Sequence, residues 1–192
     1  MNRIKRIVVV SSLPMAARSI FMKKIGTLIA IVLVSGAIAQ SALAQTLVKF
    51  HGGIGDIATG ATNTTVRGVP AAVQIWVIRD LFADVSQDGS IEVRGLGLLL
   101  GAGDGVGSNG NDSVFATLFC ANDGNIAHNS TRAGVPLAVD GDFLINDKLS
   151  PAPPSTCTSP VLLIRGVNDE RYFAAGIPKP SRDQSVNQSN TP

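Results

Sequence analysis

Two histidines, His51 and His128, are the side chains best suited to general-base work near neutral pH. Their contexts, KFHGG and IAHNS, carry no metal-ligand spacing. Beyond residue 44 the chain has no G-x-S-x-G, no S-x-x-K and no H-E-x-x-H. Triads assemble in space rather than in sequence, so a small exported hydrolase using His51 or His128 stands as the alternative function. The two cysteines, Cys120 and Cys157, form no CxxC, and neither has a histidine beside it in sequence. An even count in an exported chain reads as one structural disulfide, with an expected contribution of about 3–4 kcal/mol through the unfolded state.

Gly105-Val106-Gly107-Ser108-Asn109-Gly110 matches G-x-G-x-x-G. A dinucleotide site needs a helix next, so that its N-terminal N–H groups meet the pyrophosphate. The following SVFATLFC reads as a strand instead, and no lysine follows to make a phosphate loop. The stretch Gly107–Phe115 partly resembles one calcium-binding nonapeptide of the G-G-x-G-x-D type. Gly107, Gly110, Asp112 and Val114 fit it; Ser108 departs from the second glycine. Asp104, Asn109, Asn111 and Asp112 offer oxygen ligands that suit Ca²⁺, making a calcium-dependent binding module on residues 104–112 a further alternative. A β-roll shares each ion between successive turns, and this chain holds one copy. A polar surface loop accounts for the same composition. No other cofactor is indicated.

Acidic residues gather at Asp84, Asp88 and Glu92, and again at Asp140 and Asp142. The second pair flanks Gly141, which turn chemistry explains without a glycosidase.

The elements that position these residues begin after a leader. Met22-Lys23-Lys24, the apolar run Ile25–Ala39 and the small residues Ala42 and Ala44 form a signal peptide over 22–44. Cleavage would leave Gln45 first. The run is shorter than the ~20 residues of a membrane span. Residues 1–21 read as an upstream extension whose start is set too early. The leader style is bacterial. Six of the 16 basic residues lie in the leader and none of the 14 acids, so the exported part has 10 bases and a net charge of −4. Nucleic acid and anionic membranes are therefore poor partners, and no membrane anchor remains after cleavage.

From Gln45 onward, short β-branched runs alternate with Gly, Asn, Asp and Pro. Thr46–Phe50 reads as a strand, Gly52–Thr65 as a loop, and Val73–Val85 as the strongest strand. A three-residue loop, Gln87-Asp88-Gly89, puts Val85 opposite Ile91 and Ala83 opposite Val93, keeping the faces consistent. That hairpin wants Gly89 in the left-handed region. It also sets Asp84 against Glu92 and Phe82 against Arg94, where a cation–π contact is expected. Val135–Val139 and Asp142–Ile145 read as a second hairpin around Asp140-Gly141. Val161–Arg165 and Arg171–Ala175 read as a third. Gly95 and Gly97 suggest a bulge or a close backbone approach. Residues 178–192 read as a disordered polar tail.

The expected fold is all-β: one antiparallel β-sandwich of about eight strands over 45–177. In outline it resembles small secreted Greek-key domains of immunoglobulin or transthyretin type, although no motif matches residue by residue and no function follows. The expected role is an exported, non-catalytic protein, periplasmic or secreted, that binds an unknown protein or surface partner or serves structurally. Trp76, Phe82, Phe115, Phe119, Phe143, Tyr172 and Phe173 are the candidate core aromatics. Any that share an exposed face would mark the partner site.

Overall fold

A computed structural model describes residues 45–56 and 65–179. The leader, with Ala42 and Ala44, and most of the polar tail lie outside the described residues. The strands are β1 (Thr46–Gly55), β2 (Thr65–Val66), β3 (Val69–Pro70), β4 (Trp76–Val77), β5 (Asp80–Ser86), β6 (Ser90–Leu96) and β7 (Leu99–Leu100). They continue as β8 (Ser113–Phe119), β9 (His128–Asn129), β10 (Val135–Pro136), β11 (Phe143–Lys148), β12 (Val161–Gly166) and β13 (Tyr172–Pro178). One 3₁₀ turn, Ala121–Asp123, follows β8. The described chain is all-β, as its short β-branched runs predict.

The long strands share one antiparallel sheet in the order β10-β8-β12-β13-β1-β5-β6-β11, with β9 also on β8. The expected pair of stacked sheets is replaced by a single sheet that nearly closes into a barrel. At the seam Asn129 and Ser150 exchange both backbone hydrogen bonds, 3.0 and 2.8 Å. Asp147 on β11 adds a carboxylate that accepts the Thr131 N–H at 2.6 Å. This bond, ahead of its other contacts, holds the Asp147 carboxyl below its usual range.

Strand periodicity decides what faces inward. Leu81, Ala83 and Val85 on β5, Ile91 and Val93 on β6, and Phe143 and Ile145 on β11 are buried in one core with Leu118, Leu162, Ile164 and Phe173. On the outer side of β8, β12 and β13, Phe119, Leu163 and Tyr172 make a second cluster with Val69 and Ala71.

The first hairpin has the expected register. Val85 pairs Ile91, Ala83 pairs Val93, and Gly89 takes φ +86°. The close approach expected at Gly95 is also present, because its cross-strand partner Phe143 lays its ring where a Cβ would be. The third hairpin forms as β12–β13.

Four expectations are corrected. Gly52–Thr65 is not all loop, since β1 runs through Gly55, flanked by β13 and β5. Val73–Val85 is not one strand. Gly101 N–H bonds Ile75 O and Arg79 N–H bonds Leu96 O, so the segment bends before β5. Val135–Ile145 is a hairpin only at its tip, where Ala138 N–H bonds Asp142 O at 2.9 Å; beyond it β10 pairs with β8 and β11 with β6. The turn between them is pinned at Gly141, φ +79°, whose carbonyl accepts the Leu98 N–H at 2.9 Å. The strand expected to end at Ala175 continues to Pro178, and Lys179 N–H bonds Lys49 O at 2.8 Å. Pro178, assigned to the tail, therefore belongs to the sheet, and Lys179 is tied to β1.

Candidate functional site

The outer face of β1, β5, β6 and β11 carries residues that the core does not use. Pairing aligns His51 with Phe82, Phe82 with Arg94, and Arg94 with Leu144. These four side chains form one row across four strands, all on the exposed side. Phe82 is 37% exposed and Leu144 56% exposed. The other six aromatics named from the sequence are buried, so Phe82 is the one that reaches solvent. His51 meets the Phe82 ring edge-on, with centroids 4.7 Å apart. The expected cation–π partner also changes. Arg132 and Arg165, rather than Arg94, lie over a ring, and the ring is Phe115.

The neighbouring row is polar: Lys49, Asp84, Glu92 and Asn146. The like-charge facing of Asp84 and Glu92 is present, and Lys49 on β1 relieves it by an ion pair to Asp84. Among the described residues Arg94 and Glu92 make no ion pair or side-chain hydrogen bond. Open depressions flank Arg94, one against Phe82 and Asp84 and the other against Asp142 and Leu144. The row thus sets an exposed guanidinium, without an ion pair among the described residues, between two exposed apolar side chains.

The histidines are not brought together. His51 lies on this outer row, while His128 is buried on β9 with 3% of its side chain exposed. His128 Nδ1 lies 2.9 Å from Pro151 O, and Nε2 lies 2.6 Å from an Asp123 oxygen. A carbonyl only accepts, so Nδ1 carries a proton. Both ring nitrogens are thereby engaged.

The loop after β7 is built from its own hydrogen bonds. Asn109 donates to Leu137 O and Ala138 O, and its side-chain oxygen accepts from Asn111 N–H. Asp112 accepts from Ser113 N–H and from Asn168. Burial pushes the Asp112 carboxyl above its ordinary range. Asp104 and Asn111 are exposed. The strand β8 follows the glycines, as read from the sequence.

Cys120 and Cys157 form the expected disulfide, Cα to Cα 5.0 Å. The fold sets His128 and Asp123 against it. The ligand atoms of Cys120, Asp123 and His128 lie within 4.8 Å of one another. The sequence spacing Cys120-x-x-Asp123-x₄-His128 carried this signal, but it is hidden to a search for cysteine pairs or adjacent histidines.

Asp56, at the end of β1, also escaped the sequence reading. It is 2% exposed. One carboxylate oxygen accepts the Trp76 N–H at 2.6 Å, and the other has no partner among the described residues. Trp76 stacks on Phe173, rings 4.2 Å apart and 6° from parallel. Burial pushes the Asp56 carboxyl up to about 7.

No protein-family model, curated protein or solved structure matches this chain.

Proposed function

We propose that this is an exported, non-catalytic binding protein, acting in the periplasm or outside the cell, whose outer β1-β5-β6-β11 face docks a protein partner. The observation that carries the reading is the row Phe82–Arg94–Leu144, with an arginine that has no ion pair among the described residues between exposed apolar side chains. A partner suited to it presents an apolar segment with a carboxylate opposite Arg94, since a desolvated Arg–carboxylate pair is bidentate and directional. The engagement of both His128 nitrogens supports the non-catalytic part of the reading, because a general base needs a free lone pair and access to substrate. The export part rests on the leader.

The test is quantitative cross-linking of the purified protein to an envelope extract, comparing wild type, Phe82→Ser/Leu144→Ser and Arg94→Glu. The control is Val106→Glu, which alters an exposed apolar residue of the loop after β7. The expected result is a partner lost by the first two variants and kept by the control. A cross-linked set that all variants share removes the face from consideration.

A further inference from the structure

We infer that Cys120, Cys157, Asp123 and His128 form a redox-gated site for Zn²⁺ or a similar divalent transition metal, closed while the disulfide is intact and assembled when it is reduced. Three of the four ligands come from one short segment. Cys120 follows β8 and caps the 3₁₀ turn that holds Asp123, and His128 starts the return strand β9, paired back onto Leu118. This turn folds the ligand atoms of all three to within 4.8 Å. Cys157 supplies the fourth, since its sulfur is bonded to that of Cys120.

The donor set, two thiolates, one imidazole and one carboxylate, consists of ligand types that Zn²⁺ takes in tetrahedral sites. The surroundings fit as well. His128 Nδ1–H donates to Pro151 O, which fixes the tautomer that offers Nε2 outward. One Asp123 oxygen accepts the Ile126 N–H at 3.3 Å, leaving the other to face Nε2. Nε2 and the Asp123 oxygen lie 2.6 Å apart, so two donor atoms already stand side by side. Cys120 and His128 are buried, while Ala121, Asn122 and Gly124–Ile126 are exposed, so the turn gives an ion access from solvent.

The chemistry balances with a dithiol reductant. Its two thiols become one disulfide, and the Cys120–Cys157 bond becomes two thiols. Zn²⁺ then displaces both thiol protons to solvent and binds two thiolates, the Asp123 carboxylate and neutral His128, with net charge −1 on the site. Tetrahedral bonding at ~2.3 Å to sulfur and ~2.0–2.2 Å to nitrogen and oxygen needs ligand separations of roughly 3.3–3.8 Å. The nitrogen–oxygen pair therefore opens by under about 1 Å, and the sulfurs separate by side-chain rotation.

The test is a Co²⁺ titration of the full protein, oxidised and anaerobically reduced, read by visible absorption. Expected for the reduced protein is one equivalent of cobalt with the intense bands of a tetrahedral ion, a thiolate charge-transfer band, and displacement by Zn²⁺. The oxidised protein should show neither band. Asp123→Ala and His128→Asn should bind at least tenfold more weakly and alter the tetrahedral bands, with folding of their oxidised forms verified by circular dichroism. Absent or octahedral cobalt in the reduced wild type overturns the inference without any variant. So do both variants binding as wild type does. If reduction unfolds the chain, Zn²⁺ should restore its β signal and Mg²⁺ should not, because a metal that binds only the folded site must stabilise it. Failure of Zn²⁺ to do so also overturns it.

Discussion

Asp56 makes the folded protein sensitive to pH in an unusual direction. Its carboxyl has an ordinary value of 3.8 and is pushed to about 7 by burial. Between those values the folded state holds a proton that the unfolded state has released. Raising the pH through this window therefore costs stability, and the cost is complete once the folded form ionises near 7. At ~1.4 kcal/mol per pH unit, the window from 3.8 to about 7 amounts to about 4 kcal/mol. Asp56→Asn keeps the acceptor for Trp76 N–H and cannot ionise. The assay is urea unfolding of wild type and variant at pH 4.5, 6 and 8. The variant should gain on wild type as pH rises, by about 3 kcal/mol between pH 4.5 and 8, because roughly 1 kcal/mol of the window lies below pH 4.5. Subtracting one from the other cancels every other titrating group to first order, including Asp112, whose raised carboxyl acts in the same direction. A difference that does not change with pH refutes the reasoning. So does a wild type that gains on the variant between pH 4.5 and 8.

Four further outcomes can be measured on the same protein. Gly89→Ala should destabilise by about 1 kcal/mol in urea unfolding, from its +86° φ alone, because its Cβ would sit in ordinary contact with Pro153. Gly141→Ala should cost more, roughly 2–4 kcal/mol, because its Cβ would fall 2.5 Å from Leu98 O as well as at positive φ. Replacing both cysteines with serine should remove about 3–4 kcal/mol in the same assay. Millimolar Ca²⁺ should leave Tm unchanged, since the oxygens of Asn109 and Asp112 already serve the loop; a rise in Tm would make residues 104–112 a calcium site.

Local features were legible in the sequence. The Gln87–Gly89 hairpin shows its register because two strands and a three-residue turn share one period-two constraint. The disulfide follows from cysteine count. Features that depend on distant pairing were not legible. Nothing near Asp84 says that Lys49 will answer it from another strand. Val73–Val85 reads as a strand because its composition is apolar, yet backbone bonds to Gly101 and Leu96 bend it. The turn at Asp140-Gly141 is right and its strands are not, because each arm finds a better neighbour elsewhere in the sheet. Asp56 carries no local mark, since its perturbation comes from burial by residues distant in sequence, against the lowering effect of the Trp76 N–H.

Strand β1 lies between β5 and β13, and β13 is the last strand of the sheet in chain order. Phe50 faces Pro178 and Gly53 faces Gly176, so these contacts join the two ends of the domain. A chain threaded across a membrane from its N-terminus would deliver β1 first and its partner last. Until β13 emerges, one edge of β1 has no partner, and the sheet cannot complete its circuit. Closing such a long loop is slow and unrewarded until it succeeds. For a chain delivered that way, the wiring order would work as a delay: the segment would stay pliable while it passed through a narrow pore, and the arrival of the final strand would be the event that commits it to its shape.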